Sequence, residues 1–422
     1  MGLAVISAGL VTGTVSGVRS AAAVPGALSP GPGGFVSMTP FRLVDTRLPA
    51  TSTDVAYAGP RFVGDETDTF RVFAPNDPTL PPGGIGAVVL NVTAVDADGA
   101  GFITAWPADQ TRPLASVLNY RGGDVVPNAV TVSLSPDLRF SVYSKRNVDL
   151  VIDVMGIYAA TPSGPGGGGF AGTAPLRILD TRPASAVGAV QRASDADGRT
   201  TVTGLTVPGG AVPGDAIAVV VNVTAVPGEQ GSGAGYVTAY PAGINVPGAS
   251  NLNYQGASAV ANQVTVRLGK GGQVAFFTKT PVDLVVDLMG YYAAGTTVRG
   301  GFMPIDPTRF TDTRLPESGG YLIDSSTSSI VVSVVQRNGV PANAESVAAN
   351  VTVTEPDNTG YVTVWPDGLT RPTASNLNYV NGQTIPNAVT VGLGAGGGIE
   401  LFSKAKADLV VDVNGWFTSP FA

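Results

Sequence analysis

From residue 35 onward the chain is built of short runs in which apolar and polar side chains alternate, broken by Gly, Pro, Asn and Asp. Val, Ile, Thr and Tyr dominate the runs, and no stretch holds a helical period. A period of two with turn residues between runs predicts β-strands. In the first third the runs lie near 41–46, 67–74, 86–95, 101–106, 115–120, 127–134, 139–144 and 148–158.

Two neighbouring runs predict a hairpin with two unlike faces. Side chains alternate along a strand. Val88, Leu90, Val92 and Ala94 therefore share an aliphatic face, and Asn91, Thr93 and Val95 share the other. Folding back around 96–101 places Val95 opposite Phe102, Thr93 opposite Thr104, and Asn91 opposite Trp106. The same arithmetic places Val226 opposite Tyr236, Thr224 opposite Thr238 and Asn222 opposite Tyr240, then Thr354 opposite Tyr361, Thr352 opposite Thr363 and Asn350 opposite Trp365. A rigid aromatic beside amides and hydroxyls suits a sugar, whose C–H patch stacks on the ring while the polar groups take hydroxyls. The competing reading is that another segment covers this face and the aromatics are packing.

The recurrence of these runs sets the organisation. Asp45-Thr46-Arg47 returns as Asp180-Thr181-Arg182 and Asp312-Thr313-Arg314. GFITAWP returns as GYVTAYP and GYVTVWP, and VDLVIDVMGIY as VDLVVDLMGYY and ADLVVDVNGWF. The order never changes, and equivalent motifs are 125 to 135 residues apart. That is the size of a small domain rather than of a solenoid repeat, and it can bury about two thirds of its unfolded surface. The expected fold is all-β, as three tandem antiparallel β-sandwich domains of jelly-roll-like form at 34–160, 170–294 and 301–422, with a Gly/Pro linker at 161–169. Residues 1–23 read as a signal-peptide-like leader, apolar and small up to Ala21-Ala22-Ala23. Export follows, with no membrane span in the mature chain.

Composition narrows the chemistry. There is no Cys and no His, which excludes disulfides, thiol nucleophiles, imidazole bases and histidine-ligated metals. A net charge of −7 argues against nucleic acid as a partner. Asp149 and Asp153 share one strand face, as do Asp283 and Asp287, and Asp408 and Asp412. Buried carboxylates need partners. The arginines of the DTR motif, Arg47, Arg182 and Arg314, are the expected ones, as structural ion pairs. Calcium is the second reading and a glycosidase carboxylate pair the third. No metal, cofactor or catalytic residue is expected. The Asn-Val-Thr triplets match a glycosylation pattern but lie inside strands. Pro127-Asn128, Ala261-Asn262 and Pro386-Asn387 mark strand starts.

These motifs together resemble a repeat module widespread in secreted proteins of actinobacteria. It runs P-x-R-x-x-D-T-R, V-V-x-N-V-T, G-x-x-T-x-[WY]-P, S-x-L-N-[YF] and V-D-L-V-x-D-V-x-G-Y-[YF]. The resemblance covers nearly all of residues 35–422 in three copies. It implies an extracellular location and a non-catalytic accessory or structural role, and it names no ligand. This chain departs from the appended arrangement of that module, since no other kind of domain accompanies the copies. The expected function is an interaction or structural role at the cell surface. Envelope or environmental glycan would be bound through Asn91, Thr93, Thr104, Trp106, Asn222, Thr224, Thr238, Tyr240, Asn350, Thr352, Thr363 and Trp365. The alternative is self-association as a subunit of a filament, sheath, surface layer or virion surface. The low charge and a mean hydropathy of +0.23 lean toward assembly.

Overall fold

The computed structural model describes residues 33–418, apart from 50–54, 74–83, 161–167, 183–186, 188–190, 195–199, 207–211, 228–232, 257, 295–299 and 316–328. The expected leader and most of the expected linker lie outside the described residues. The described chain is all-β, with a single 3-10 turn at Lys270–Gly272.

In the first repeat the strands are β1 (Phe35–Asp45), β2 (Tyr57–Ala58), β3 (Thr67–Arg71), β4 (Ile85–Val95), β5 (Gly101–Pro107), β6 (Leu118–Tyr120), β7 (Val125–Ser133), β8 (Arg139–Ser144) and β9 (Asp149–Ala159). One sheet has the order β2-β1-β9-β4-β7 and the other β3-β8-β5-β6. Apart from the short parallel β1–β2 contact, all pairing is antiparallel. The second and third repeats give the orders β1-β9-β4-β7 and β3-β8-β5-β6 from their own strands, without a counterpart of β2 among the described residues and with one further edge strand, Gln191–Ser194, in the second. Six small sheets result, and each draws its strands from one repeat. Within a repeat the two sheets share a core. Val88, Leu90, Val92 and Ile152 from one meet Phe70, Ile103, Phe140 and Val142 from the other. Burying each such side chain stabilises the fold by about 1.5–3 kcal/mol.

The expected hairpin does not form. β4 pairs with β7 and β9, whereas β5 pairs with β6 and β8, so the connection 96–100 crosses from one sheet to the other. The alternation along each strand holds, but Asn91 faces Ala129 and Asp153, not Trp106. Sequential strands each bury an aliphatic face, and facing each other across one core does that as well as lying side by side. β1 also starts six residues earlier than expected, and β6 is only three residues long.

The repeats close on one another in a ring. Gly33 and Phe302 exchange backbone hydrogen bonds of 3.0 and 2.8 Å, Phe35 and Gly168 exchange bonds of 2.7 and 2.8 Å, and Phe170 N–H donates to Gly300 O at 3.2 Å. At the centre of the ring Phe35, Phe170 and Phe302 from the first strands meet Tyr158, Tyr292 and Phe417 from the last. Ring centroids of Phe35 and Tyr292 lie 4.3 Å apart, and those of Tyr158 and Phe302 lie 4.4 Å apart. Each Phe lies on a glycine of its own repeat's last strand. A Cβ at Gly156, Gly290 or Gly415 would stand 2.4, 2.5 or 2.2 Å from a ring atom, which is why the V-x-G-Y motif needs its glycine. The apolar core of the second repeat runs without a break into Val89 and Met155 of the first and Ala348 of the third.

Candidate functional site

The acidic motifs resolve into one network per repeat, with a correction. Register slips in β1 set Arg42 directly across from Asp153 on β9. Arg42 Nε and Nη2 donate to the two oxygens of Asp153 at 2.9 and 3.4 Å, and Nη1 donates to Asp45 at 3.1 Å. Arg47, the expected partner of Asp149 and Asp153, instead clasps Asp45 of its own motif at 2.8 and 2.7 Å. Two residues of separation suffice for a fork-to-fork pair once the strand has ended, so the nearer carboxylate wins. Arg177, Arg182, Asp180 and Asp287 repeat this, as do Arg309, Arg314, Asp312 and Asp412. Asp149, Asp283 and Asp408 accept from the hydroxyls of Thr46, Thr181 and Thr313 at 2.9, 2.8 and 2.7 Å.

Burial sets the electrostatics. Asp153, Asp287 and Asp412 are pushed up from the ordinary carboxylate value by desolvation, which their arginines only partly offset. Burial pushes Asp45 up as well, but hydrogen bonds and charge from Arg47 outweigh it and leave Asp45 lowered. Asp180 and Asp312 are lowered chiefly by the hydrogen bonds of Arg182 and Arg314. The arginines of the P-x-R motif, Arg42, Arg177 and Arg309, were legible as a recurrence but not as the partners of these acids.

The amide and aromatic face is covered twice. Asn91, Asn222 and Asn350 are 2%, 1% and 3% exposed, and Trp106, Tyr240 and Trp365 are 5%, 4% and 3% exposed. The aromatics lie under their own repeat's connection between β5 and β6. Trp106 Nε1 donates to Gln110 O at 3.0 Å, Trp365 Nε1 to Leu369 O at 2.9 Å, and Thr238 and Thr363 donate to Ala249 O and Ala374 O at 2.8 Å. Thr104 is equally buried. The asparagines lie under the next repeat. Asn91 Nδ2 donates to Ser250 O at 2.8 Å, Asn222 to Ser375 O at 2.6 Å, and Asn350 to Ser116 O at 2.7 Å. First meets second, second meets third, and third meets first. The hydroxyls of Thr93, Thr224 and Thr352 are enclosed without a partner. These side chains are the joints between and within repeats, which leaves them out of reach of a ligand in solution.

A second set of asparagines completes the joints. Asn128, Asn262 and Asn387 lie three or four residues into the strands Val125–Ser133, Val260–Arg267 and Ile385–Gly392 at the centre of the ring. Their amides donate to Asn350, Asn91 and Asn222 Oδ1 at 2.8, 3.0 and 3.0 Å. Their oxygens accept the backbone N–H of Ala388, Ala129 and Gln263 at 2.9, 3.3 and 3.1 Å. The strands thus begin two or three residues before the asparagine expected at their start. The signal was there, since the Asn recurs where the preceding Pro does not.

What stays accessible is the outer face of the second sheet. Asn119, Phe102 and Lys145 lie in one row there, as do Asn253, Tyr236 and Lys279, and Asn378, Tyr361 and Lys404; each lysine follows the last residue of its strand, and the amide nitrogens of Asn253 and Asn378 are enclosed without a partner. Phe102, Tyr236 and Tyr361 are half-buried and lie beside the rings of Tyr143, Phe277 and Phe402, at 5.8, 5.9 and 6.0 Å. Exposed Arg112 stacks on Tyr143 at 3.7 Å and exposed Arg371 on Phe402 at 3.8 Å, whereas Val246 takes that place in the second repeat. Lys145 is engaged by Asp65 at 2.9 Å. Among the described residues no carboxylate meets Lys279, Lys404 or Arg371. The connection between β5 and β6 also exposes Leu114, Ile244, Val246 and Leu369, one or two per repeat.

No protein-family profile matches the chain. No curated protein matches it either. Among solved structures it is similar to a chain from the atomic structure of Sulfolobus turreted icosahedral virus, at 9% identity over 92% of this chain and 100% of that one, with a TM-score of 0.17. It is also similar to the N-terminal CBM22-1–CBM22-2 tandem domain of Paenibacillus barcinonensis Xyn10C, at 12% identity over 60% of this chain and 99% of that one, again with a TM-score of 0.17. At those scores neither likeness carries a functional argument.

Proposed function

We propose that the chain is a secreted, non-catalytic cell-surface protein in which three jelly-roll-like β-sandwiches form one body that binds envelope or environmental glycan through its outer sheet faces. The strand orders β1-β9-β4-β7 and β3-β8-β5-β6 are those of a two-sheet jelly roll, which supports the sandwich reading. The observation that carries the functional reading is the half-buried aromatic with a solvent-reaching lysine beside it on each outer sheet. The recurrent asparagines are spent on joints, and the recurrent acids on ion pairs and hydroxyl bonds within each repeat. Three similar faces on one body suit a repetitive polymer, because linked weak sites gain avidity. The reading uses no metal or cofactor. Retention on insoluble cell wall or polysaccharide tests it: Phe102→Ala, Tyr236→Ala and Tyr361→Ala together should abolish retention while the protein stays monomeric. Undiminished retention of the triple variant would refute it.

Assembly is the second reading, supported by exposed aliphatic side chains on the same connection in every repeat, from Leu114 at 94% to Val246 at 41%. High-mass species by sizing and negative stain, dispersed by Leu114→Asp with Leu369→Asp, would favour it.

A further inference from the structure

The three outer faces are not equal, and the difference points to a ligand class. We propose that the third repeat carries a site for an acidic saccharide, a sugar ring bearing a carboxylate, on the face formed by Tyr361, Lys404 and Arg371. This rests on the glycan reading and narrows it. Tyr361 lies between Asn378 and Lys404 in one row. In the next row Phe402 lies opposite Thr363 and carries the Arg371 guanidinium over its ring, 3.8 Å from the centroid. A stacked guanidinium keeps its N–H edge free, and that edge matches a carboxylate in two-point geometry. Neither cation is spent on an acid of the protein among the described residues, and Glu400, further along the same strand face, is held by the Ser329 hydroxyl. The half-buried Tyr361 ring supplies the flat apolar surface for the sugar's C–H side.

The other repeats are internal controls. In the first, Phe102 replaces the tyrosine and Asp65 neutralises Lys145, accepting also from Tyr143 at 2.5 Å. In the second, Val246 stands where the guanidinium would be. One strong site per chain follows.

Calorimetry on the full chain with tetragalacturonate, maltotetraose and polyglutamate tests this. Tetragalacturonate should bind with one site per chain, about tenfold more tightly than maltotetraose. Tyr361→Ala and Arg371→Ala should each weaken it about tenfold with an unchanged melting curve, while Arg112→Ala should leave it alone. Equal affinity for maltotetraose, or no effect of Arg371→Ala, would overturn the acidic site and leave glycan binding standing. Equal binding of polyglutamate would overturn the saccharide. Binding of none of the three, together with no retention on any polysaccharide, would overturn both this site and the glycan reading.

Discussion

Asn128 sits at the joint between the first and third repeats, which no peptide link spans, so it tests whether the ring is closed. Its side chain is fully buried. Its amide donates to Val117 O at 2.6 Å and to Asn350 Oδ1 at 2.8 Å, and its oxygen accepts Ala388 N–H at 2.9 Å. Asn128→Ala leaves Val117 O with a longer bond from Asn350 at 3.3 Å, but leaves Ala388 N–H and Asn350 Oδ1 without these partners. Each buried group so stranded costs about 1–3 kcal/mol. The expected loss is therefore roughly 2–6 kcal/mol, seen as a lower urea midpoint by tryptophan fluorescence. Trp106 reports the first repeat and Trp365 and Trp416 the third, and both should shift together. Asn262→Ala and Asn387→Ala should cost about as much, since they make the same bonds at the other joints. A loss under about 1 kcal/mol, or a shift confined to one of two separate transitions, would refute a closed body held by these amides.

Two further outcomes follow from the buried charges and the central glycines. Arg42→Met should destabilise by roughly 3–5 kcal/mol at pH 7, because it strands Asp153 as an unpaired buried carboxylate. Burial already raises Asp153 above 3.8, and losing the guanidinium raises it further. The folded variant then takes up its proton at higher pH than the unfolded chain. Its deficit is full above the raised value and shrinks as pH falls through it, so urea midpoints at pH 7 and pH 4.5 should converge on wild type at the lower pH. A deficit independent of pH would count against the assignment. Gly415→Ala should lower stability by about 1–3 kcal/mol, since its Cβ would meet the Phe302 ring at 2.2 Å. Thermal unfolding checks this, and an unchanged melting temperature would mean that the central cluster is not close-packed.

Strand content and the threefold recurrence were legible because period-two alternation and repeated motifs are local signals. Sheet membership was not. The alternation of β4 fixes which side chains share a face, yet it cannot say whether β5 lies beside β4 or opposite it. Alternation separated the aromatic and amide side chains from the aliphatic face, but it did not show that they are buried too. What covers those faces is a connection in the same repeat and a neighbouring repeat, and no window of sequence contains either contact. Arg42 was missed for a related reason. The slips in β1 that bring it to Asp153 are backbone irregularities, whereas Arg47 looked nearer in motif space and turned inward to Asp45. The outer row fared worst: Phe102 was noticed only as the supposed partner of Val95, and its cross-strand neighbours Asn119 and Lys145 come from segments 17 and 43 residues away.

The ring explains why polar residues recur so faithfully inside a protein with so little charge. Each joint is head-to-tail, with the Asn91-type amide of one repeat meeting the Ser250-type carbonyl of the next. A head-to-tail joint propagates until its rotation closes, and here it closes at three. An apolar joint of this kind could slide or admit another copy. Amides cannot, because any shift leaves buried donors and acceptors unpaired in an apolar core. A fourth copy would bring one more donor edge and one more acceptor edge with no joint to enter. The buried asparagines therefore fix both register and copy number, and that leaves the outer sheets and the connections beside them as the surfaces free to diverge, as they have at Val246 and Asp65.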